Sequence, residues 1–334
     1  MTAPLLELHD VGMQFVAPPT PIDLLLRRTP DRLTAVDSVS LQINAGEAIG
    51  LVGESGCGKS TLARCIVGLY QPTSGSLLFE GKALNTERSK LEHRRIQIVF
   101  QDPYSSLNPR KTIRQMLSEL LRVHAMVPPA QVEPRCRELL ELVGLPVSSL
   151  DVYPRQLSGG QRQRVSIARA LALEPDILVA DEPVSALDVS VQAAILNLLN
   201  RLREQMNLTL VLITHDLSVV RYICDRTAVM YLGRIVEFTE TETLFRDPRH
   251  PYTRALLSAV PSVDPAQKRH VPPIEGDPPS PYAIPTGCRF HPRCPIRQDI
   301  CTRVDPDLEP GALHPHHQVA CHFAWDATGE RSTV

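Results

Sequence analysis

The chain has 334 residues, 43% hydrophobic and 22% charged, with a formal net charge of −2. That length accommodates one large α/β domain and a smaller appendage. The balance is that of an ordinary soluble protein, and a charge this near zero argues against nucleic acid or anionic lipid as the main partner.

The first residues lack the charged and apolar stretches of a secretory leader. No apolar run approaches the roughly 20 residues needed to span a bilayer. Eight cysteines without such a leader point to a reducing compartment rather than a disulfide framework.

Residues 5–15 and 35–43 read as strands of a small antiparallel sheet, separated by a proline-rich excursion over 18–32. A turn at 44–47 leads into the apolar run 48–52, a buried strand. It opens into Gly53-Glu54-Ser55-Gly56-Cys57-Gly58-Lys59-Ser60-Thr61, which fits G-x-x-x-x-G-K-[ST], and a helix is expected over 62–69. Strand, loop and helix are the context this phosphate-binding motif requires. Its glycines let backbone N–H groups turn toward phosphate, and the helix start adds partial positive charge. Lys59 is expected to reach the β- and γ-phosphates and Ser60 to ligate Mg²⁺; Cys57 sits at a free position of the motif.

A short strand is expected over 75–79, and another over 96–100, ending at Gln101. Residues about 102–157 read as mainly helical. Leu157-Ser158-Gly159-Gly160-Gln161 then opens a helix running through 162–171, and Ser158 with Gln161 fits a capping box. Unsatisfied N–H groups at such a helix start can bind an anion. The run 177–181 is a buried strand ending in Asp181-Glu182: Asp181 is placed beside the metal and Glu182 is the candidate base for the attacking water. Val191, Ile195, Leu198, Leu199 and Leu202 recur at helical spacing and read as core. The strand 209–214 ends at His215-Asp216.

Half of the 30 prolines follow Thr243, so the tail is expected to be irregular apart from a helix near 252–259. Cys288, Cys294, Cys301 and Cys321 lie in it with spacing C-x5-C-x6-C-x19-C. Four thiolates could staple such a segment by ligating zinc or an iron–sulfur cluster. Spacing leaves the metal undecided, with His291, His314, His316, His317 and His322 as competing ligands.

A phosphate loop followed about a hundred residues later by Leu-Ser-Gly-Gly-Gln resembles the ATP-binding cassette (ABC) ATPases. The resemblance implies a P-loop α/β core with an antiparallel β subdomain and a helical subdomain at about 102–157, together spanning 1–245. It also implies that Gln101 senses Mg²⁺ and the attacking water, that His215 contacts the γ-phosphate, and that Phe15 stacks on adenine. Ser158, Gly159, Gly160 and Gln161 would meet the ATP of a second ATPase subunit, identical or different, with Asp188 in the loop that crosses between the two.

The stretches 250–257 and 287–295 are similar to the C-terminal extension of dipeptide and oligopeptide importer ATPases, here 246–334. Some members carry a [4Fe–4S] cluster on tail cysteines, with Zn²⁺ the alternative metal. By that resemblance the chain hydrolyses ATP to power peptide import at the cytoplasmic face of the cell membrane. Its partners would be a second ATPase, two permeases and an extracytoplasmic solute-binding protein, with no nucleic acid. Nickel, a glycosidic compound or another peptide-like solute is an alternative cargo. Less favoured readings are an exporter, a soluble ABC ATPase, which would show coiled-coil inserts or two cassettes, and a P-loop kinase, which needs no Leu157–Gln161 segment.

Overall fold

A computed structural model describes residues 3–16, 32–85, 87–259, 274, 276–311 and 314–325. The excursion expected at 18–32 therefore lies outside the described residues except for Arg32. Two strands, β1 (Leu6–Val16) and β2 (Arg32–Ile43), pair antiparallel. With β4 (Ser74–Phe79) and β5 (Lys82–Ala83) they form a small sheet in the order β2-β1-β4-β5.

The larger sheet begins with β3 (Ala48–Val52). It continues through β6 (Ile96–Val99), β7 (Ile177–Asp181), β8 (Thr209–Thr214), β9 (Arg226–Tyr231) and β10 (Arg234–Glu240), and finishes with β11 (Glu309–Gly311) and β12 (His314–Val319). Their order is β11-β12-β10-β9-β3-β8-β7-β6. The segment from β9 to β6 is parallel, and β10, β12 and β11 add antiparallel strands at one end.

Period-two alternation explains why this sheet lies at the centre. Ala48 and Val52 of β3, Leu178 and Ala180 of β7, and Leu210 and Leu212 of β8 enter one core. Their neighbours Ile49, Leu51, Ile177, Val179, Val211 and Ile213 enter the other. Both faces are apolar because both are covered.

The helices in chain order are α1 (Lys59–Ile66), α2 (Lys90–Arg95), α3 (Pro103–Ser106), α4 (Ile113–Val123), α5 (Val132–Leu142), α6 (Gly159–Leu171), α7 (Val189–Met206), α8 (Leu217–Ile223), α9 (Thr241–Arg246) and α10 (Pro251–Ser258). The small sheet and α1 cover one face of the central sheet, and α4 to α7 build the core on the other. The helical subdomain is α3 to α5. A Thr112–Gln115 capping box starts α4, and Ile113, Met116, Leu117 and Leu121 form its buried stripe. No helix among the described residues is long and apolar enough to cross a membrane.

The tail departs from expectation. Much of it is irregular, but β12 joins the core sheet, with Glu237 opposite Val319 and Phe238 opposite Gln318. It is therefore continuous with the large central sheet. The lock is Glu237, fully buried, which accepts from the Arg249 and His250 N–H groups at 2.7 and 3.0 Å and pairs with His317 Nε2 at 2.7 Å. A buried carboxylate needs such donors.

Candidate functional site

The phosphate loop leaves β3 through glycines in the left-handed region, Gly53 at φ 155 and Gly58 at φ 108. The close approach is as restrictive as the dihedral. A Cβ at Gly58 would lie 2.0 Å from the Ala35 carbonyl oxygen, and one at Gly53 2.2 Å from that of Met230. Lys59 spans the loop, its Nζ donating to the carbonyls of Gly53 and Glu54, each at 2.9 Å. Ser55 and Gly56 are exposed on the loop, whereas Cys57 is buried in the core, where burial pushes its thiol pKa up. Its sulfur lies 3.7 Å from Lys59 Nζ.

At the start of α1, Ser60 Oγ donates to Asp181 Oδ1 at 2.9 Å. Burial raises the Asp181 carboxyl above its usual range, and the Ser60 hydrogen bond partly opposes this. A desolvated carboxylate beside a hydroxyl is a donor set that fits Mg²⁺, and a cation there would reverse the upward shift.

Glu182 follows β7 with a φ of 45, a left-handed backbone that costs a non-glycine residue about 1–3 kcal/mol. Its N–H donates to the Ile213 carbonyl at 2.9 Å, which anchors the turn to β8. The side chain joins two other predicted catalytic residues: Gln101 Nε2 donates to Oε2 at 2.8 Å, and His215 Nδ1 lies 3.2 Å from Oε1. Strand ends β6, β7 and β8 thus bring Gln101, Glu182 and His215 into one hydrogen-bonded chain.

The signature forms its predicted cap. Ser158 Oγ accepts from the Gln161 N–H at 3.3 Å, and Gln161 Oε1 accepts from the Ser158 N–H at 2.9 Å. Gly160 has an internal reason as well, because a Cβ there would lie 2.4 Å from Val191 Cγ1. A Cβ at Gly159 would lie 3.1 Å from Leu187. The Leu187–Asp188 turn therefore packs beside the signature of its own chain, with Asp188 exposed and the next residue, Val189, 82% exposed. Phe15 is half-buried and meets Tyr70 edge to face at 5.4 Å.

The family model described as "ABC transporter" matches residues 36–185, and "Oligopeptide/dipeptide transporter, C-terminal region" matches 236–301. The oligopeptide transport ATP-binding protein AppF of Bacillus subtilis is 48% identical over 96% of this chain and 97% of its own. The chain belongs to the ABC transporter ATPases. A putative peptide import ATP-binding protein of Brucella ovis is also 48% identical, over 86% of this ABC ATPase and 92% of that protein.

Among solved structures, cbiO1 of Clostridium perfringens, part of the cbiONQ complex, superposes with a TM-score of 0.62. It is 27% identical, over 73% of this chain and 91% of that one. The cassette MJ0796, in a dimeric post-hydrolysis state bound to ADP and Pi, gives 0.61 and 29%, over 71% and 98%.

The tail cysteines of this ABC ATPase were the expected ligands of a metal centre. Among the described residues, no three or more His, Cys, Asp or Glu side chains are grouped to hold a metal ion, so neither the [4Fe–4S] cluster nor zinc is supported by the geometry. Burial pushes Cys288 and Cys321 up to about 12 and raises Cys294 as well. Protonated thiols behave as small hydrophobes, and the partly buried Cys288 and Cys294 pack against the large core. The donor set suits a metal in kind but not in arrangement. Among the candidate histidines, His317 is committed to Glu237 and His291 Nδ1 to the Cys288 carbonyl.

Two contributors escaped sequence reasoning. Arg162 in the signature helix is buried, donates to the Leu157 carbonyl and lies 3.8 Å from the centroid of the exposed Tyr104 ring. It ties the signature to the segment after Gln101. Arg289 of the tail donates to the Leu232 carbonyl and to Asp37 of β2, the strand that packs on Gly58. The Arg289 bonds span 57 and 252 residues and have no signal in local sequence.

Proposed function

We propose that this chain is the ATP-hydrolysing subunit of a peptide importer. It would act peripherally at the cytoplasmic face of the membrane with a second ATPase, two permeases and an extracytoplasmic solute-binding protein. The observation that carries the catalytic half is the Gln101–Glu182–His215 chain beside Ser60 and Asp181. The peptide assignment is supported by the C-terminal region match and by relatives named for peptide transport.

In this reading Lys59 and the amides of the 53–61 loop bind the β- and γ-phosphates, and Phe15 stacks on adenine. Ser60, Asp181 and Gln101 would hold Mg²⁺, which would supply neutralisation of charge on the phosphate oxygens. Glu182 takes a proton from water as its oxygen attacks the γ-phosphorus; the bond to the β–γ bridging oxygen breaks, giving ADP and phosphate. His215, tied to Glu182, contacts the γ-phosphate. Ser158 to Gln161 receive the phosphate of the partner's ATP, with Asp188 and the exposed Val189 on the same surface. Closure of two cassettes on ATP, and release on hydrolysis, would drive permeases docked on the 102–157 subdomain.

For the tail, a [4Fe–4S] cluster on Cys288, Cys294 and Cys321 would keep the backbone N–H groups of Phe290, Ile296 and Phe323 that are directed at these sulfurs. The ungrouped ligands oppose it, and no catalytic step runs through it. Iron with acid-labile sulfide after anaerobic purification would establish it; zinc without iron would reject it.

The test of function is gentle purification of the chain from its native membrane, with and without Glu182→Gln. Two permeases and a second cassette should co-purify, with the solute-binding protein marking import. The variant should bind ATP and turn over about 10²–10⁴-fold more slowly. Unchanged turnover would remove Glu182 as base, and ribosomal or DNA-repair partners without permeases would remove the transport reading.

A further inference from the structure

Glu54, the second residue of the phosphate loop, is held at three points. Its N–H donates to Tyr252 Oη at 2.9 Å, its carbonyl accepts from Lys59 Nζ at 2.9 Å, and its carboxylate takes both Nη atoms of Arg293, at 2.8 and 3.1 Å. Tyr252 lies on α10, and Arg293 closes the 3-10 turn His291–Arg293, so two of these three partners come from the C-terminal extension. They sit on a rigid base. Tyr231, Tyr252 and Phe290 are all buried, with ring centroids 4.7, 5.3 and 5.5 Å apart. Arg293 Nη1 also reaches Tyr231 Oη at 3.5 Å. The Arg293 side chain is only 8% exposed, so its pairing is poorly screened by solvent.

Two physical consequences follow for an anion entering the loop. First, a carboxylate stands in a loop built to receive several phosphate charges, and like charges at short range in a partly desolvated site repel strongly. The bidentate guanidinium cancels that charge where it stands. Second, the loop is fixed in advance at Glu54 and at the start of α1, which reduces the ordering cost of binding.

We infer that Arg293 and Tyr252 are positioning residues for ATP: the C-terminal extension holds the phosphate loop through Glu54 and neutralises its carboxylate, so that the loop admits nucleotide phosphate. The inference rests on the ATP-binding reading given above.

The experiment titrates MgATP into the full-length chain and its variants, with circular dichroism as a fold check. The same proteins are then assayed for ATPase activity in the assembled complex. Arg293→Ala is expected to weaken ATP binding about tenfold and raise KM in proportion, with kcat at saturation little changed. Arg293→Lys, which keeps the charge, should recover most of the affinity. The double variant Glu54→Gln with Arg293→Ala should recover it too, because no bare carboxylate remains; a merely structural role for Arg293 predicts no such rescue. Tyr252→Phe keeps the ring stack and removes only the acceptor for the Glu54 N–H, so a severalfold loss of affinity is expected.

Should Arg293→Ala fail to fold, Arg293→Lys, Tyr252→Phe and the double variant still decide. Wild-type affinity in folded Arg293→Ala, or a double variant no better than the single one, would overturn the role of Arg293. Unchanged affinity in Tyr252→Phe would overturn that of Tyr252. Failure of the wild-type chain to bind ATP would instead sink the functional reading itself.

Discussion

Removing the carboxylate of Glu237 should detach the C-terminal strand and cost a large part of the stability. Glu237 is fully buried, and its two oxygens satisfy the Arg249 N–H, the His250 N–H and His317 Nε2. In Glu237→Ala, two backbone donors and a histidine lose their acceptor in a site that water does not reach. Breaking a buried charged network from one side costs about 3–5 kcal/mol, against a total of about 5–15 kcal/mol for a typical domain. Glu237→Gln keeps one acceptor oxygen but turns an amide NH₂ toward a donor, so a loss of about 1–3 kcal/mol is expected.

Urea unfolding of the full-length chain at neutral pH measures both, through the midpoint at constant slope. Hydrogen exchange locates the effect: the amides of His314–Val319 should lose protection ahead of those in β3, β7 and β8. A loss below about 1 kcal/mol for Glu237→Ala would refute the donor accounting. Uniform loss of protection across the chain would refute the idea that this carboxylate specifically locks the tail.

Gly160→Ala should cost about 1–3 kcal/mol, because its Cβ would overlap Val191; a thermal melt measures it, and Val191→Ala in the same chain should restore most of the loss. No rescue would mean the glycine is required for another reason. Burial lowers the pKa of His250 to about 4, with its Nδ1 accepting from the Tyr252 N–H at 3.1 Å. The unfolded chain therefore binds the extra proton first, so this contribution is present above about pH 6.5 and is lost as pH falls through 4. At its limit it is worth about 3 kcal/mol. Urea midpoints should fall more steeply over that window in the wild type than in His250→Gln, and equal slopes would contradict the assignment.

Much of the catalytic half was legible because its signals are local. The phosphate loop, the carboxylate pair after an apolar strand and the capping box at Ser158 each declare themselves within a few residues, and short apolar runs identified the strands that deliver them. Gln101 and His215 were singled out only by the family resemblance, and the structure sets both side chains against Glu182.

The strand pairing of the tail was missed because its order comes from distant partners. The segment His314–Val319 contains three histidines and a proline and carries no alternating apolar pattern, yet it is a strand because β10 supplies its partner. Arg293 lies 239 residues from Glu54, and nothing near either residue announces the pair. The cysteines are the opposite case: the ligand types are suggestive in sequence, yet among the described residues no three such side chains are grouped to hold a metal. Gly160 carries a packing constraint that only the position of Val191 reveals.

The added strands have a consequence for self-association. Without β12, the seven-residue strand β10 would end the large sheet with bare N–H and C=O groups among mostly buried side chains, the kind of edge that recruits other chains. The strand that ends the sheet instead, β11, has three residues, begins with Glu309 and carries Pro310 at its centre. A short edge interrupted by proline offers little for another strand to extend. The tail thus protects the protein from edge-to-edge aggregation, and shortened forms that end near residue 245 should be sticky even where their catalytic residues are intact.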